Sequence, residues 1–259
     1  MPSDEGRISV RWNARDIGLL LLTFVVIVAL WEGIVRAFNI SDNIFPTASD
    51  VGLYLFSNIV DGTFLSHFKV TFIETIGGFV IGSLGAIVLG VLVSEIRWIN
   101  NLIYPYILAT QAVPKVALAP LFLIWFGFGI SSKIALAVTM VFFPVLVNTV
   151  TGLQNANESQ IKLLQAYSAS RWQILRRVKL PGSLPYIFAG LEIAIVLSIV
   201  AAVVSEFVGA NAGLGYLIII YNNQLNMAGQ FSVLILLGVV GMALSALIQG
   251  ISRKIVFWQ

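Results

Sequence analysis

The chain has no cysteine and a single histidine, His67, in 259 residues. This excludes disulfides, covalent haem attachment and thiolate metal sites, and leaves no histidine-based metal cluster or catalytic triad. Charge is scarce as well: 10% of residues are Asp, Glu, Lys or Arg, against 58% that are hydrophobic. With a mean hydropathy of +0.94, too little polar surface remains to wrap a water-soluble core. A phosphate loop of the form G-x-x-x-x-G-K-[ST] is missing, so the chain does not hydrolyse ATP itself. No cluster of carboxylates supplies an enzymatic constellation either.

What the chain does have is apolar runs of spanning length, about 20 residues for a hydrocarbon core of roughly 30 Å. Six are expected, at Ile17–Phe38, Val70–Ser94, Leu102–Phe126, Ser132–Leu153, Pro185–Val208 and Phe231–Val256. The first is too long for a signal-peptide core and no small-residue cleavage site follows it, so it reads as a retained span. With the N-terminus inside, Arg7, Arg11, Arg15, Arg97, Lys162, Arg171, Arg176, Arg177, Lys179, Arg253 and Lys254 all fall on the cytoplasmic side. Those are eleven of the fifteen basic residues, and the positive-inside rule then places both termini in the cytoplasm. The same sorting accounts for a pI near 9.3 without any nucleic-acid partner.

Three local patterns refine the picture. Gly78, Gly82, Ala86 and Gly90 put a small residue at every fourth position of the second span, a smooth stripe for close helix packing within the subunit. Pro105, Pro114 and Pro120 predict a kinked or interrupted third span, which membranes tolerate where backbone is buried or lines a cavity. Thr47 to Asp50 followed by Val51, Leu53, Tyr54, Leu55 and Phe56 predicts a capped amphipathic helix on the outer surface.

The most polar stretch, from Gln154 to Pro185, holds five of the fifteen basic residues. Asn155 or Asn157 caps a first short helix running to about Tyr167. Ser170 with Gln173 forms a Ser-x-x-Gln capping box for a second, Arg171–Val178, which Pro181 is expected to stop. Trp172, Leu175 and Val178 form its apolar face. A loop that only anchors to anionic lipid needs charge but no capped, apolar-faced helix, so a protein-docking element is favoured, with lipid contact added.

This segment resembles the "EAA" loop of permease subunits in binding-protein-dependent ABC importers. The family spacing Gly-x9-Ile-x-Leu-Pro appears here as Ser168-x9-Val178-x-Leu180-Pro181. IFPTASDV (44–51), VPKVALAPLFLIWFGFGISSKI (113–134), FFPVLVNTVTGL (142–153) and SEFVGANAGLGYLI (205–218) resemble, in order, the branch handling nitrate, sulfonates, taurine, bicarbonate and some aromatic or pyrimidine compounds. The resemblance implies an all-α membrane protein, one transmembrane permease domain over 1–259 with six helices and the type I importer fold. It implies a loop, about 154–184, that inserts as a coupling helix into a separate ATPase subunit. Two ATPases, which carry ATP and Mg, then rock two permeases, a homodimer by preference, between inward- and outward-open states. An extracytoplasmic binding protein delivers a small polar or anionic solute across the bacterial inner membrane. No cofactor is implied in the chain itself. The coupling residues would be Lys162, Gln165, Ala166, Ser168, Ala169, Ser170, Arg171, Trp172, Leu175, Val178, Leu180 and Pro181.

Four positions depart from the family pattern. The motif's Glu falls at Lys162 and its Gly at Ser168, while its two Ala fall at Leu163 and Leu164. The charge reversal fits either a charge-swapped ATPase groove or the degenerate half of a pair of different permeases, and the intact Val-x-Leu-Pro half favours the first. Within the spans, Glu32 and Arg36 are expected to pair, and Glu74 to sit near Lys69. Lys115, beside Pro114, and Glu192 fall about 20 Å and about 11–14 Å deep, as candidate partners lining or gating the passage. Glu206 is expected to support the Gly-rich outer turn Asn211–Tyr216. A stand-alone secondary transporter or channel is the rival reading, but it leaves the capped loop without a purpose.

Overall fold

The computed structural model describes residues 14–102 and 104–258, so Arg7 and Arg11 lie outside the described residues. Among the described residues the chain is helical throughout, without strands. Helix α1 (Ala14–Ala37) leads to the short α2 (Ala48–Val60), then to the long α3 (Thr63–Glu95). Next come α4 (Arg97–Leu102) and α5 (Tyr104–Ala109), two 3₁₀ turns (Thr110–Ala112 and Lys115–Leu118) and α6 (Ala119–Phe126). Helix α7 (Ile130–Gln154) returns to the loop pair α8 (Glu158–Ala166) and α9 (Arg171–Ile174). A π turn (Leu175–Lys179) then feeds α10 (Leu180–Gly209), followed by the short α11 (Leu214–Asn223) and the final α12 (Met227–Ile255). Among the described residues, five helices are long and apolar enough to cross a membrane, and up to six spans result if the bent pair Trp98–Ala112 and Lys115–Phe126 counts as one.

The bundle is organised on α3, α7 and α10. The small-residue stripe is the reason α3 and α7 lie so close: a Cβ on Gly90 would stand 2.7 Å from Thr149 Cγ2, and one on Gly82 3.0 Å from the Val138 carbonyl oxygen. At Gly78 it would overlap the Cβ of Ala137. With Ala86 fully buried in the same seam, the stripe packs inside the subunit. Val141, Val145, Leu146 and Val150 from α7 fill the space against Ala86, Val93 and Ala194. Ser198 of α10 donates to the Thr75 carbonyl at 2.6 Å, tying the third helix in.

The bundle has two distinct ends. At one, α2 and α11 pack on the starts of α3 and α12 through Phe64, Leu214, Leu217, Tyr221 and Val233. Helix α2 is capped as expected: Thr47 Oγ1 accepts from the Asp50 N–H at 3.1 Å. At the other end Trp258 shares a cavity with Asn157, Arg177 and Pro181, so the C-terminal tail lies beside the polar loop. Helix α1 touches the rest of the chain near its last turns. There Trp31 Nε1 donates to the Pro46 carbonyl, and Glu32 pairs with Arg36 at 2.6 Å while accepting from Ser49.

The third span is broken as the prolines predict. The two halves meet at 87°. Pro114 caps the second 3₁₀ turn in an extended conformation, and Pro120 sits in the first turn of α6, where a missing N–H costs nothing.

Candidate functional site

The polar loop folds as an elbow. Asn157, rather than Asn155, caps α8, its side chain accepting from the Gln160 N–H at 3.1 Å. The helix ends in a Schellman motif: Ala169 N–H bonds the Leu164 carbonyl at 3.0 Å, and Ser168 N–H bonds Gln165 at 2.9 Å. That geometry puts Ser168 at φ 58, the left-handed region. Glycine in the family motif at this position is thereby explained, since only glycine adopts it freely. Ser170 then restarts the helix with both halves of the capping box formed, Ser170 N–H to Gln173 Oε1 at 2.7 Å and Gln173 N–H to Ser170 Oγ at 3.3 Å. Ala166 closes α8 and Arg171 opens α9, so Gln165 to Arg171 is one continuous corner.

Two expectations for this loop are corrected. Pro181 does not stop the second helix. The backbone widens into the π turn Leu175–Lys179 and continues into α10, with Leu180 and Pro181 in its first turn. Widening relieves the carbonyl at Arg177, against which the Pro181 ring would otherwise press, and proline in a first turn sacrifices no helical bond. The apolar face is also divided. Leu175 is 5% exposed and turned into the bundle, Val178 is half-buried, and Trp172 stands out at 65%. Leu163 on α8 and Tyr167, its C-terminal cap residue, are exposed as well. The exposed large apolar side chains of the elbow are therefore Leu163, Tyr167 and Trp172, of which the sequence reading named only Trp172.

Lys162 makes an exposed pair with Glu158 at 3.1 Å. Lys179, one of the five basic residues of the loop, reaches the end of α3 and meets Glu95 at 2.6 Å. A cavity of about 640 Å³ opens at this junction, lined by Glu95, Trp98, Ile161, Gln165, Arg171 and Lys179.

The passage candidates part company. Lys115 and Glu192 form no ion pair; among the described residues, the pairs are Glu32–Arg36, Glu158–Lys162 and Glu95–Lys179. Lys115 Nζ lies 4.7 Å from the centroid of the Phe143 ring. It lines a cavity of about 300 Å³ with Gln111, Met140, Phe143, Pro144 and Leu197. Glu192 precedes Leu197 by five residues, about 140° around the helix at 3.6 residues per turn, so it faces away from that cavity.

At the opposite end, Glu206 is buried and fixes the Gly-rich turn. It accepts from the Gly215 and Tyr216 N–H groups and from Thr71 Oγ1 at 2.7 Å. Thr71 in turn accepts from the Leu214 N–H, and His67 Nδ1 accepts from the Gly213 N–H. Gly213 needs its freedom here: its φ is 121 and a side chain would collide with the Glu206 carboxyl. Glu74 lies against Glu206, not Lys69, which is exposed. Lys133 of α7 lies near Glu74 as well. It is buried, and its Nζ donates to the Phe128, Gly129 and Gly209 carbonyls at 3.1, 3.2 and 3.3 Å.

The profile of the family described as "Binding-protein-dependent transport system inner membrane component" matches residues 78–256. The chain belongs to this family. It is similar, at 32% identity over 93% of its length and 90% of the relative's, to the riboflavin transport system permease protein RibX of Chloroflexus aurantiacus. It is 31% identical to the formylaminopyrimidine transport permease protein ThiX of Halalkalibacterium halodurans, over 92% of this chain and 94% of that one. It is 28% identical to the taurine transport system permease protein TauC of Escherichia coli, over 82% and 79%. The fold matches a chain of the inward-facing MetNI methionine ABC transporter with a TM-score of 0.60 at 23% identity, covering 72% of this chain and 91% of that one. The protein is thus a multi-pass permease component of a type I ABC importer, a transport subunit and not an enzyme.

Proposed function

We propose that the elbow formed by α8 and α9 docks into an ATPase subunit. A pair of permeases, most simply two copies of this chain, with two ATPases and an extracytoplasmic binding protein would carry a small polar or anionic solute inward through the bacterial cytoplasmic membrane. The observation that carries this reading is the exposure of Leu163, Tyr167 and Trp172 on a doubly capped corner, in a chain without a phosphate loop. A lone transporter gains nothing from displaying a rigid tryptophan to the cytoplasm. On this reading both termini are cytoplasmic, and α2 with the Glu206-pinned turn faces the binding protein. Small solutes named for the relatives range from riboflavin to taurine, and a modest cavity near the broken span is compatible with that range.

The test is co-purification with the neighbouring ATPase. Wild type assembles and hydrolyses ATP. Trp172→Ala weakens assembly by about 2 kcal/mol, roughly 30-fold, as expected for a central aromatic anchor, and Ser170→Pro, which removes the N–H of the capping box, does the same. Full assembly by both variants would overturn the proposal.

A further inference from the structure

Two lysines are enclosed by this bundle, and they are treated very differently. Lys133 donates to three carbonyl oxygens and so ties the start of α7 to the end of α10. Lys115 has none of that. It opens the 3₁₀ turn after the 87° bend, half-buried, with its Nζ on the Phe143 ring. Among the described residues no carboxylate oxygen lies within 4.0 Å of it, and Glu192, the nearest candidate by depth in the sequence, is turned to another face of α10. An aromatic face offsets only part of the penalty of keeping an ammonium in an apolar layer. The remainder calls for an anion. The cavity around Lys115 supplies the other elements of a ligand site: the Gln111 amide as a second donor, and Met140, Phe143 and Leu197 as an apolar wall.

We propose that Lys115 is the anion-binding residue of the passage site, and that the transported solute is a small organic anion. Its charged head meets Lys115 and Gln111, and its short apolar body lies on Phe143, Met140 and Leu197. This rests on the permease reading and narrows its solute class.

The absence of cysteine makes the test direct. Val116 lines the same cavity, so Val116→Cys places one thiol beside Lys115. Its modification rate is measured in the detergent-solubilised protein, both purified with its ATPase and purified alone, with two reagents of similar size, the anionic sulfonatoethyl and the cationic trimethylammonioethyl methanethiosulfonate. The anion-to-cation rate ratio should fall about 10- to 100-fold when Lys115→Gln is added, as expected for unit charges a few ångströms apart in a partly screened site. Lys115→Arg should keep the ratio, and free methanesulfonate should protect the thiol only when Lys115 or Arg is present. An unchanged ratio, or a thiol unreactive to both reagents, overturns the inference. ATP hydrolysis by the same complexes is read separately. Active complexes with charge-blind labelling refute the anion site alone, whereas anion-selective labelling without ATPase assembly upholds it and refutes the docking reading alone.

Discussion

Replacing Ser168 by glycine is expected to strengthen the elbow. Ser168 sits at φ 58 because the Schellman bonds from Ala169 and Ser168 to Leu164 and Gln165 require a left-handed residue there. A side chain in that region costs roughly 1–2 kcal/mol. Glycine removes the strain but loses more chain entropy on ordering, about 0.5–1 kcal/mol. The net gain is therefore about 0.75 kcal/mol for Ser168→Gly, or about a three- to four-fold shift between closed and open forms of the corner. Ser168→Val should move the other way, since a branched side chain is least tolerant of positive φ. The assay is amide hydrogen exchange over residues 164–170 in the detergent-solubilised complex, with protection about three- to four-fold higher in the glycine variant and lower than wild type in the valine variant. If valine protects as well as serine, or glycine exchanges faster, backbone strain is not what distinguishes this position.

Other perturbations test other joints. Gly78→Val should lower stability by about 1–3 kcal/mol or more through overpacking against Ala137, whereas Gly85→Ala, whose added carbon finds its nearest neighbour at 3.7 Å, should be nearly silent in thermal unfolding. Lys179→Met leaves the half-buried Glu95 unpaired and should cost about 1–3 kcal/mol, with the double variant Glu95→Gln, Lys179→Met recovering much of the loss. Glu206→Ala strips the acceptor from Gly215, Tyr216 and Thr71. A reporter thiol at Asn211 should then label several-fold faster while ATPase assembly is unchanged, and equal labelling would show that the turn holds itself.

Much of this architecture was legible because the relevant physics is local. The Ser170–Gln173 box, the Thr47 cap and the Glu32–Arg36 pair each span three or four residues, and the small-residue stripe needs only helical period. The misreadings arose where two elements had to be placed relative to each other. Lys115 and Glu192 have suitable depths, but helix phase turns them apart. Lys179 looks like a surface charge until α3 is known to end at Glu95. Glu74 finds Glu206, 132 positions along the chain. Pro181 reads as a stop because a π turn has no sequence signature that a proline rule anticipates.

That π turn has a mechanical corollary. Backbone runs helical from Arg171 to Gly209, so the tryptophan at the elbow and the Glu206 carboxyl at the far end ride on one shaft about 58 Å long at 1.5 Å per residue. Torque applied at Trp172 has no hinge loop in which to dissipate. The wide turn acts instead as a fixed angular offset, setting the bearing of the elbow against the rest of the rod. Removing one residue from Leu175–Lys179 would rotate everything before it by about 100°, leaving the bundle intact and the crank pointing at nothing.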